Sequence, residues 1–324
     1  MIAVTVTDIA DETTEVRRFR LAGSDGRPLP GYDAGAHIDV TGPTGITRQY
    51  SLCGPPQEGG TYTIAVKRQP SSRGGSAALH ELVGVGAGLT VGTPRNRFAV
   101  APEARHHMLV AAGIGITPLL SMAYRLHRDG SAFELHYFDR SREHAAFVGE
   151  LEEAAFAPAV QFHFGVPRAG QQEPLDKALA QAPDDTHLYT CGPEGFMASV
   201  TAAAARTLPE TRIHLERFHA PEATEVAAAP EDGHDPAAAF ELVLDTGETF
   251  TVPPGDSIVS VLEAQGVPVD TSCREGICGT CVLTVLDGEP DHRDHCLSRK
   301  ERAAGDRIAA CVSRSRTPRL VVGF

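Results

Sequence analysis

The sequence predicts a multidomain protein in which an antiparallel β-barrel, a parallel α/β domain and a small C-terminal domain follow one another. Short alternating apolar runs, separated by turn residues, fill residues 1–102 and are typical of an antiparallel barrel. In residues 103–218 apolar runs alternate with helical stretches, which is the pattern of a parallel sheet. Residues 219–239 contain five acids, three prolines and no Lys or Arg. This composition predicts a linker in front of residues 240–324.

The composition excludes several classes of protein. The formal net charge is -13, which disfavours nucleic-acid binding because phosphate contacts need clustered Lys and Arg. The apolar stretch Met108–Tyr124 is broken by Gly113, Gly115 and Pro118, so it is interpreted as a buried strand and turn. Seven cysteines, an odd number, argue against a disulfide framework. With no basic leader at its start, the chain is expected in the reducing cytoplasm, without a membrane or nucleic-acid partner.

Strands of the first part are predicted at Ile2–Thr7, Val16–Leu21, His37–Val40 and Tyr62–Val66. This part also contains two motifs. Arg48, Tyr50 and Ser51 end a further strand, where an aromatic ring can stack on an isoalloxazine and an arginine can pair with a phosphate. Arg73-Gly74-Gly75-Ser76 precedes the apolar stretch Ala77–Val83 and has the composition of a phosphate cradle at a helix start. Each motif alone is more often plain sheet or turn, but together they indicate a flavin site.

The second part is predicted to alternate strands with helices. The strands are His107–Ala112, Phe133–Phe138, His187–Thr190 and Arg212–Leu215, and the helices are Leu119–His127, Arg142–Ala154 and Gly195–Ala204. His106 and His107 are expected at a strand edge on the surface, because a metal site would need further ligands.

Three motifs of this part lie where its strands end. Gly113 and Gly115 follow the first strand and Pro118 enters the next helix, so this turn either binds a pyrophosphate or is a plain tight turn. Cys191-Gly192-Pro193 ends a later strand, at the edge where open α/β sheets bind ligands. Arg140-Ser141 ends the strand after the glycine turn. Its arginine either favours the 2′-phosphate of a coenzyme or belongs to the surface.

The third part contains a metal-binding pattern. A hairpin is predicted from Phe240–Leu244 and Thr249–Val252, a helix at Ser257–Gln265, and a capping box at Ser298 and Glu301. A Cys-x4-Cys-x2-Cys run with one later cysteine is the spacing of a plant-type [2Fe–2S] site, with ligands Cys273, Cys278, Cys281 and Cys311. A zinc site or free thiols are the alternatives, but zinc sites commonly use two Cys-x2-Cys pairs. Cys296 lies off the pattern and is interpreted as an inert thiol.

Taken in order, these motifs resemble those of the phthalate dioxygenase reductases over nearly the whole chain. The segments that carry the resemblance are RQYSL, RGGS, GIGITPLLSM, YTCGPEGFM and CREGICGTC with its later cysteine. The resemblance implies an antiparallel flavin-binding β-barrel with FMN, then a parallel α/β nicotinamide-binding domain, then a β-grasp plant-type ferredoxin domain. NADH is the coenzyme that the family favours, and Arg140 leaves NADPH possible.

The resemblance also implies roles for single residues. FMN would be bound by Arg48, Tyr50, Ser51, Lys67, Arg73, Gly74, Gly75 and Ser76. The coenzyme would be bound by Gly113, Gly115, Pro118, Arg140, Ser141, Gly192 and Pro193. Catalytic positions near the nicotinamide and the flavin would be Cys191, Thr117 and Phe218.

The cofactor set predicts a function by electron counting. NAD(P)H gives two electrons as a hydride and a [2Fe–2S] cluster takes one, so a flavin must stand between them. We therefore expect a monomeric reductase component that passes single electrons to a terminal oxygenase, first of all a Rieske-type hydroxylase or demethylase. The alternatives are an electron donor to a haem-thiolate monooxygenase and a non-catalytic electron-carrier module.

Overall fold

A computed structural model of the chain describes residues 1–56, 60–69, 74–218 and 238–324. These residues form two compact units, Met1–Arg217 and Phe218–Phe324. Nearly all of the predicted linker 219–239 lies outside the described residues, as does Arg73. Among the described helices, none has the length and apolar character needed to cross a membrane.

The first part of the first unit is built from antiparallel strands. Its elements are β1 (Ile2–Asp11), β2 (Val16–Gly23), β3 (Ala36–Thr41), β4 (Thr47–Ser51), β5 (Thr61–Lys67), α1 (Gly75–Leu82), β6 (Gly88–Val91) and β7 (Arg95–Asn96). The strand order is β4-β3-β6-β1-β2-β5, with β7 paired to β3. A bridge between Leu52 and Ile64 joins the end of β4 to β5, so the sheet curls back on itself around a core that includes Phe19, Ile38 and Tyr62.

The second part of this unit is a five-stranded parallel sheet. Its elements are β8 (His106–Ala112), α2 (Ile116–Arg128), β9 (Ala132–Asp139), α3 (Val148–Glu153), β10 (Val160–Phe164), α4 (Gln172–Gln181), β11 (Thr186–Cys191), α5 (Glu194–Ala204) and β12 (Ile213–Glu216). The order β10-β9-β8-β11-β12 means that the chain builds outward from β8 on one side and then crosses to the other. The switch point therefore lies between β8 and β11, and open α/β sheets bind their ligands at such a point.

Two expectations for this part are wrong. The helix expected at Arg142–Ala154 is a 3-10 turn at Arg142–His144 followed by the short helix α3. Phe147 breaks it with a φ of 63°, because its ring is buried and its N–H donates to Glu12 of the barrel at 3.0 Å. His107 is not on the surface either. Its strand β8 is central in the sheet, and the residue is only 2% exposed and packs near Tyr189.

The second unit has a mixed sheet with one helix packed on it. Its elements are β13 (Phe240–Leu244), β14 (Thr249–Val252), α6 (Ile258–Ala264), β15 (Val282–Asp287), β16 (Pro290–Asp291), α7 (Arg299–Ala304), β17 (Arg307–Ala309), β18 (Arg314–Ser315) and β19 (Arg319–Gly323). In the order β14-β13-β19-β15-β17, β13 and β19 are parallel and the other neighbours antiparallel. The capping boxes at Ser257 and Ser298 start α6 and α7, the second as predicted.

Candidate functional site

The four predicted cluster ligands lie on two segments of the second unit. Cys273, Cys278 and Cys281 lie in the loop between α6 and β15, and Cys311 follows β17. The loop bends sharply, and Gly276 takes a φ of 72°. A Cβ there would lie 2.5 Å from the side chain of Val312, so only glycine fits this close approach.

The sulfur atoms of these cysteines are arranged as two pairs. Hydrogen bonds join Cys273 to Cys278 and Cys311 to Cys281. The thiol of Cys278 also lies 3.2 Å from the hydroxyl oxygen of Thr280. The hydrogen bonds within the pairs are the largest cause of the lowered pKa of Cys278, about 5, and of the lowered pKa of Cys281. Backbone N–H groups of Glu275 and Thr280 also approach sulfur, at 3.3 Å from Cys273 and 3.4 Å from Cys278. The hydrogen bonds within the pairs also raise the pKa of Cys273 and of Cys311, so each pair retains one proton and offers one thiolate, the form that binds iron.

This arrangement fits a binuclear cluster better than a single metal ion. Within the described ranges, no group of three or more His, Cys, Asp or Glu side chains converges on one metal-ion position. In a [2Fe–2S] cluster each iron takes two protein ligands, and two cysteine pairs supply that number. The donor set therefore fits the cluster that the spacing predicted.

Two of the predicted flavin residues, Lys67 and Gly74, line one cavity of the first unit. The cavity has a volume of about 520 Å³, and its lining also includes Arg68 and the acid Glu15. Arg48, Tyr50 and Ser51 lie on β4 and are not among the residues that line it. Gly74 caps helix α1 with a φ of 93°, and a Cβ on Gly75 would lie 3.2 Å from Cγ of Arg48, so the start of α1 rests against that side chain. Two cations beside a helix start make the cavity suitable for a phosphorylated cofactor.

Two of these side chains already have partners. The hydroxyl of Ser76 accepts from the N–H of Gln69 at 3.1 Å. A guanidinium N–H of Arg48 donates to the carbonyl of Thr47 at 2.7 Å. Burial raises the pKa of the partly buried Tyr50 to about 12, so its ring is a neutral stacking surface at any ordinary pH.

The predicted coenzyme motifs come together at the switch point of the parallel sheet. A Cβ on Gly115 would lie 2.2 Å from the carbonyl oxygen of Cys191, and one on Gly192 would lie 2.9 Å from Cβ of Ala112. The two glycines thus let the ends of β8 and β11 touch. Thr117 is buried and its hydroxyl donates to the carbonyl of Ile114 at 2.9 Å, where it holds the turn together.

The residues after β9 lie against the barrel. Arg140 donates to Oε1 of Glu15 at 2.7 Å, and Lys67 lies 3.4 Å from the other oxygen of the same carboxylate. The hydrogen bond from Arg140 is the largest cause of the lowered pKa of Glu15. Ser141 donates to Glu143 at 2.6 Å. Arg140 is therefore committed to a partner and is not a free cation of the surface.

One residue that no sequence motif indicated, Glu216, joins the two predicted sites. Glu216 ends β12, next to Cys191 in the register of β11 and β12. Its carboxyl accepts from the hydroxyl of Ser51 at 3.3 Å and lies 3.9 Å from Nδ1 of His37. Burial raises the pKa of Glu216 to about 8. The only signal in the sequence was an acid at the end of an otherwise apolar strand.

Ser51 and Cys191, predicted separately at the flavin and at the nicotinamide, thus meet at one buried carboxyl. The thiol of Cys191 is buried, and burial followed by the charge of Glu216 raises its pKa well above the ordinary value. Phe218 is the first residue of the second unit and immediately follows Arg217, which pairs with Glu194 at 3.0 Å. Its proposed contact with the flavin remains a prediction.

Two protein families match parts of the chain. The 2Fe-2S iron–sulfur cluster binding domain matches residues 242–316. The N-terminal domain of proteins like the dimethylamine monooxygenase subunit DmmA matches residues 92–211.

Known proteins resemble the chain over its whole length. The vanillate O-demethylase oxidoreductase of Pseudomonas putida is 44% identical over 326 residues, which cover 99% of each chain. The crystal structure of phthalate dioxygenase reductase, described as modular for electron transfer from pyridine nucleotides to [2Fe–2S], has a TM-score of 0.72 at 33% identity. The match covers 100% of this chain and 98% of the phthalate dioxygenase reductase chain. An intact type IV self-sufficient cytochrome P450 monooxygenase has a TM-score of 0.86 at 36% identity. This chain matches it over 99% of its own length but spans only 40% of that longer protein.

Proposed function

The chain belongs to the phthalate dioxygenase reductase family, and on this premise we propose how its residues divide the work of an oxygenase reductase. The protein is an NAD(P)H-dependent oxidoreductase, the reductase component of an oxygenase system, with FMN and a [2Fe–2S] cluster as cofactors. When bound, these cofactors supply the conversion of a two-electron donation into single-electron steps. The protein supplies their binding, their orientation and the exclusion of water.

The observation that carries the assignment of residues is the meeting of Ser51 and Cys191 at Glu216. Strand β4 ends at Ser51, which bonds to Glu216, and strand β11 ends at Cys191, which is beside Glu216 in the register, so a flavin ring bound on Tyr50 and a nicotinamide at Cys191 would lie close together. The buried, uncharged thiol of Cys191 would pack against the nicotinamide and hold the ring in place, and removing its sulfur would leave a gap there. Lys67, Gly74, Gly75 and Ser76, with Arg73 beside them in the sequence, would hold the FMN phosphate.

The test is a matched pair of cysteine variants. Cys191→Ala should slow flavin reduction by NADH at least tenfold, equivalent to about 1.4 kcal/mol of barrier, in stopped-flow absorbance. Cys53→Ala is the control, because Cys53 is also a buried thiol of this unit and bonds only to the carbonyl of Thr63 among the described residues. Equal rates in the two variants would remove Cys191 from the nicotinamide site.

We infer that NADH is the preferred coenzyme. The acid Asp139 ends β9, where an acidic residue commonly binds the ribose hydroxyls of NAD. The neighbouring Arg140, which could otherwise attract a 2′-phosphate, is engaged by Glu15. Glu15→Gln should release it and raise kcat/KM for NADPH about tenfold, the worth of one charge-assisted hydrogen bond. Asp176→Asn, which removes a carboxylate on α4 paired with the similarly exposed Arg206, should leave the NADPH-to-NADH ratio unchanged.

We propose a Rieske-type oxygenase as the electron acceptor, with a hydroxylation or demethylation as its reaction. The full-length similarity to a vanillate O-demethylase oxidoreductase supports this choice. The similarity to a self-sufficient cytochrome P450 favours a second candidate, a haem-thiolate monooxygenase. Incubating the reductase and NADH with the oxygenase of a neighbouring gene decides between them, because the acceptor's spectrum identifies the centre that is reduced. A monomer in the cytoplasm is proposed for the reductase itself.

The route through the cluster has its own test. Cys273→Ser should abolish reduction of the partner oxygenase while NADH-to-ferricyanide activity persists through the flavin. If partner reduction survived the loss of this ligand, electrons would not leave through the cluster.

A further inference from the structure

Asp294 is a buried carboxylate of the second unit that the spacing of the cysteines does not explain. It lies between β16 and α7, and its side chain is 0% exposed. Burying a carboxylate is costly unless hydrogen bonds compensate for the lost water. The partners of Asp294 therefore indicate what the carboxylate does.

Each oxygen of this carboxylate reaches a different part of the unit. Oδ2 accepts from the N–H groups of Leu297 at 2.9 Å and Cys296 at 3.2 Å, and the guanidinium of Arg302 lies 3.6 Å away. Oδ1 accepts from the hydroxyl of Ser313 at 3.4 Å. One oxygen thus holds the start of α7, and the other holds the turn that follows β17.

That turn carries the fourth cluster ligand. Ser313 lies two residues after Cys311 and is fully buried. Its N–H donates to the carbonyl of Ala309 at 3.0 Å, which closes the turn around Cys311. A bond that holds the Ser313 hydroxyl therefore also holds the turn that contains Cys311.

The segment of Asp294 also lies against the loop with the other three ligands. The N–H of His295 donates to the carbonyl of Gly276 at 2.8 Å. A Cβ on Gly276 would come within 3.1 Å of Cα of Asp294, so the two backbones are in contact. A separate tie between the two ligand segments runs from the N–H of Ala310 to the carbonyl of Cys281 at 3.0 Å, on the opposite side of Cys311 in the sequence.

We propose that Asp294 is a positioning residue of the iron–sulfur site, which sets the turn of Cys311 against the loop of the other three cysteines. The backbone tie at Ala310 holds the turn before Cys311, and the carboxylate holds it after Cys311. Outer-shell partners of this kind typically change metal affinity 10- to 100-fold when they are lost.

The experiment compares Asp294→Asn with a matched control, Asp291→Asn, in the full chain with its cofactors. Asp291 is also buried, three residues earlier, but its carboxylate pairs with Arg293 at 2.7 Å and Arg316 at 3.7 Å. We measure the half-life of the visible cluster absorbance against an iron chelator, the EPR spectrum of the reduced cluster and the urea midpoint. Asp294→Asn should shorten the half-life about tenfold or more and alter the EPR g-values, and Asp291→Asn should change neither.

Ser313→Ala keeps the proposal open to test if Asp294→Asn does not fold. It removes one hydroxyl and should also shorten the half-life and alter the EPR g-values. Two results would overturn the proposal. In one, Asp294→Asn and Asp291→Asn lower the urea midpoint by the same amount and also lose the cluster at the same rate. Asp294 would then act only through the stability of the fold. In the other, Ser313→Ala keeps the wild-type half-life and spectrum.

Discussion

Glu216 predicts an unusual dependence of stability on pH. Its side chain is 13% exposed, and burial raises its pKa from 4.5 to about 8. When the pKa of a carboxyl is higher in the folded protein than in the unfolded chain, its contribution to the free energy of unfolding is complete below the unfolded-state pKa. That contribution is lost as the pH rises through the folded-state pKa. The first unit should therefore become less stable from about pH 5 to pH 8, by roughly 4–5 kcal/mol for a rise of this size.

The perturbation is Glu216→Gln, which keeps the shape of the neutral acid and cannot ionise. Its stability should not share the alkaline decline, so at pH 8 the variant should exceed the wild type by about 4 kcal/mol. The assay is urea unfolding at several pH values, followed by far-UV circular dichroism because the chain has no tryptophan.

The control for this prediction is Glu194→Gln. It removes another carboxylate of the same half, one that is 40% exposed and paired with Arg217. The control should show the same pH dependence as the wild type. Parallel curves of unfolding free energy against pH for wild type and Glu216→Gln would contradict this prediction, since they would mean that Glu216 ionises as easily in the folded protein as in the unfolded chain.

Three further predictions rest on close contacts and on one buried histidine. Gly115→Ala should destabilise the first unit by about 1–3 kcal/mol in urea unfolding and slow flavin reduction, because the new Cβ would meet the carbonyl of Cys191 at 2.2 Å; an unchanged midpoint would contradict this. Burial, with the charges of nearby histidines, lowers the pKa of His107 to about 4. The contribution of neutral His107 to the free energy of unfolding is therefore complete above pH 6.5 and is lost as the pH falls toward 4. In His107→Gln the free energy of unfolding should fall by about 2–3 kcal/mol less between pH 6.5 and pH 4 than in the wild type, and an equally steep fall would contradict this prediction. Gly276→Ala should yield protein with less iron per chain than wild type, because its φ is 72° and the Cβ would lie 2.5 Å from Val312; full iron content would show that the loop can adjust.

Much of the fold could be predicted because local patterns agree with tertiary structure there. Period-two alternation found β1, β2, β3 and β5 of the barrel, and apolar runs found all but one strand of the parallel sheet. The barrel strands β6 and β7 were not predicted, because four and two residues are too few to show an alternation. The missed strand of the parallel sheet, β10 (Val160–Phe164), is short and sits at the sheet edge with half-buried residues, so its apolar signal is weak. The helix at Arg142–Ala154 was wrong because Phe147 takes a left-handed conformation that only contact with the barrel explains.

Arg140 shows the same limit within the site. The sequence left it either as a determinant of 2′-phosphate binding or as surface, and neither reading included Glu15, which lies far away along the chain. An ion pair of this kind depends on how the barrel packs against the parallel sheet. Such packing leaves no periodic signal in either segment.

The cofactor chemistry follows from the sequence alone, because the ligand spacing of an iron–sulfur site and the glycines of a strand–helix turn are local requirements of the backbone. The type and order of the domains followed from the same local patterns. The tertiary structure was needed to show that β4 and β11 both lead to the same buried acid, Glu216, and that Asp294 stands between the two segments that carry the four cysteines. Both are long-range contacts of buried carboxylates, whose partners are set by the elements that surround them rather than by their neighbours in the chain.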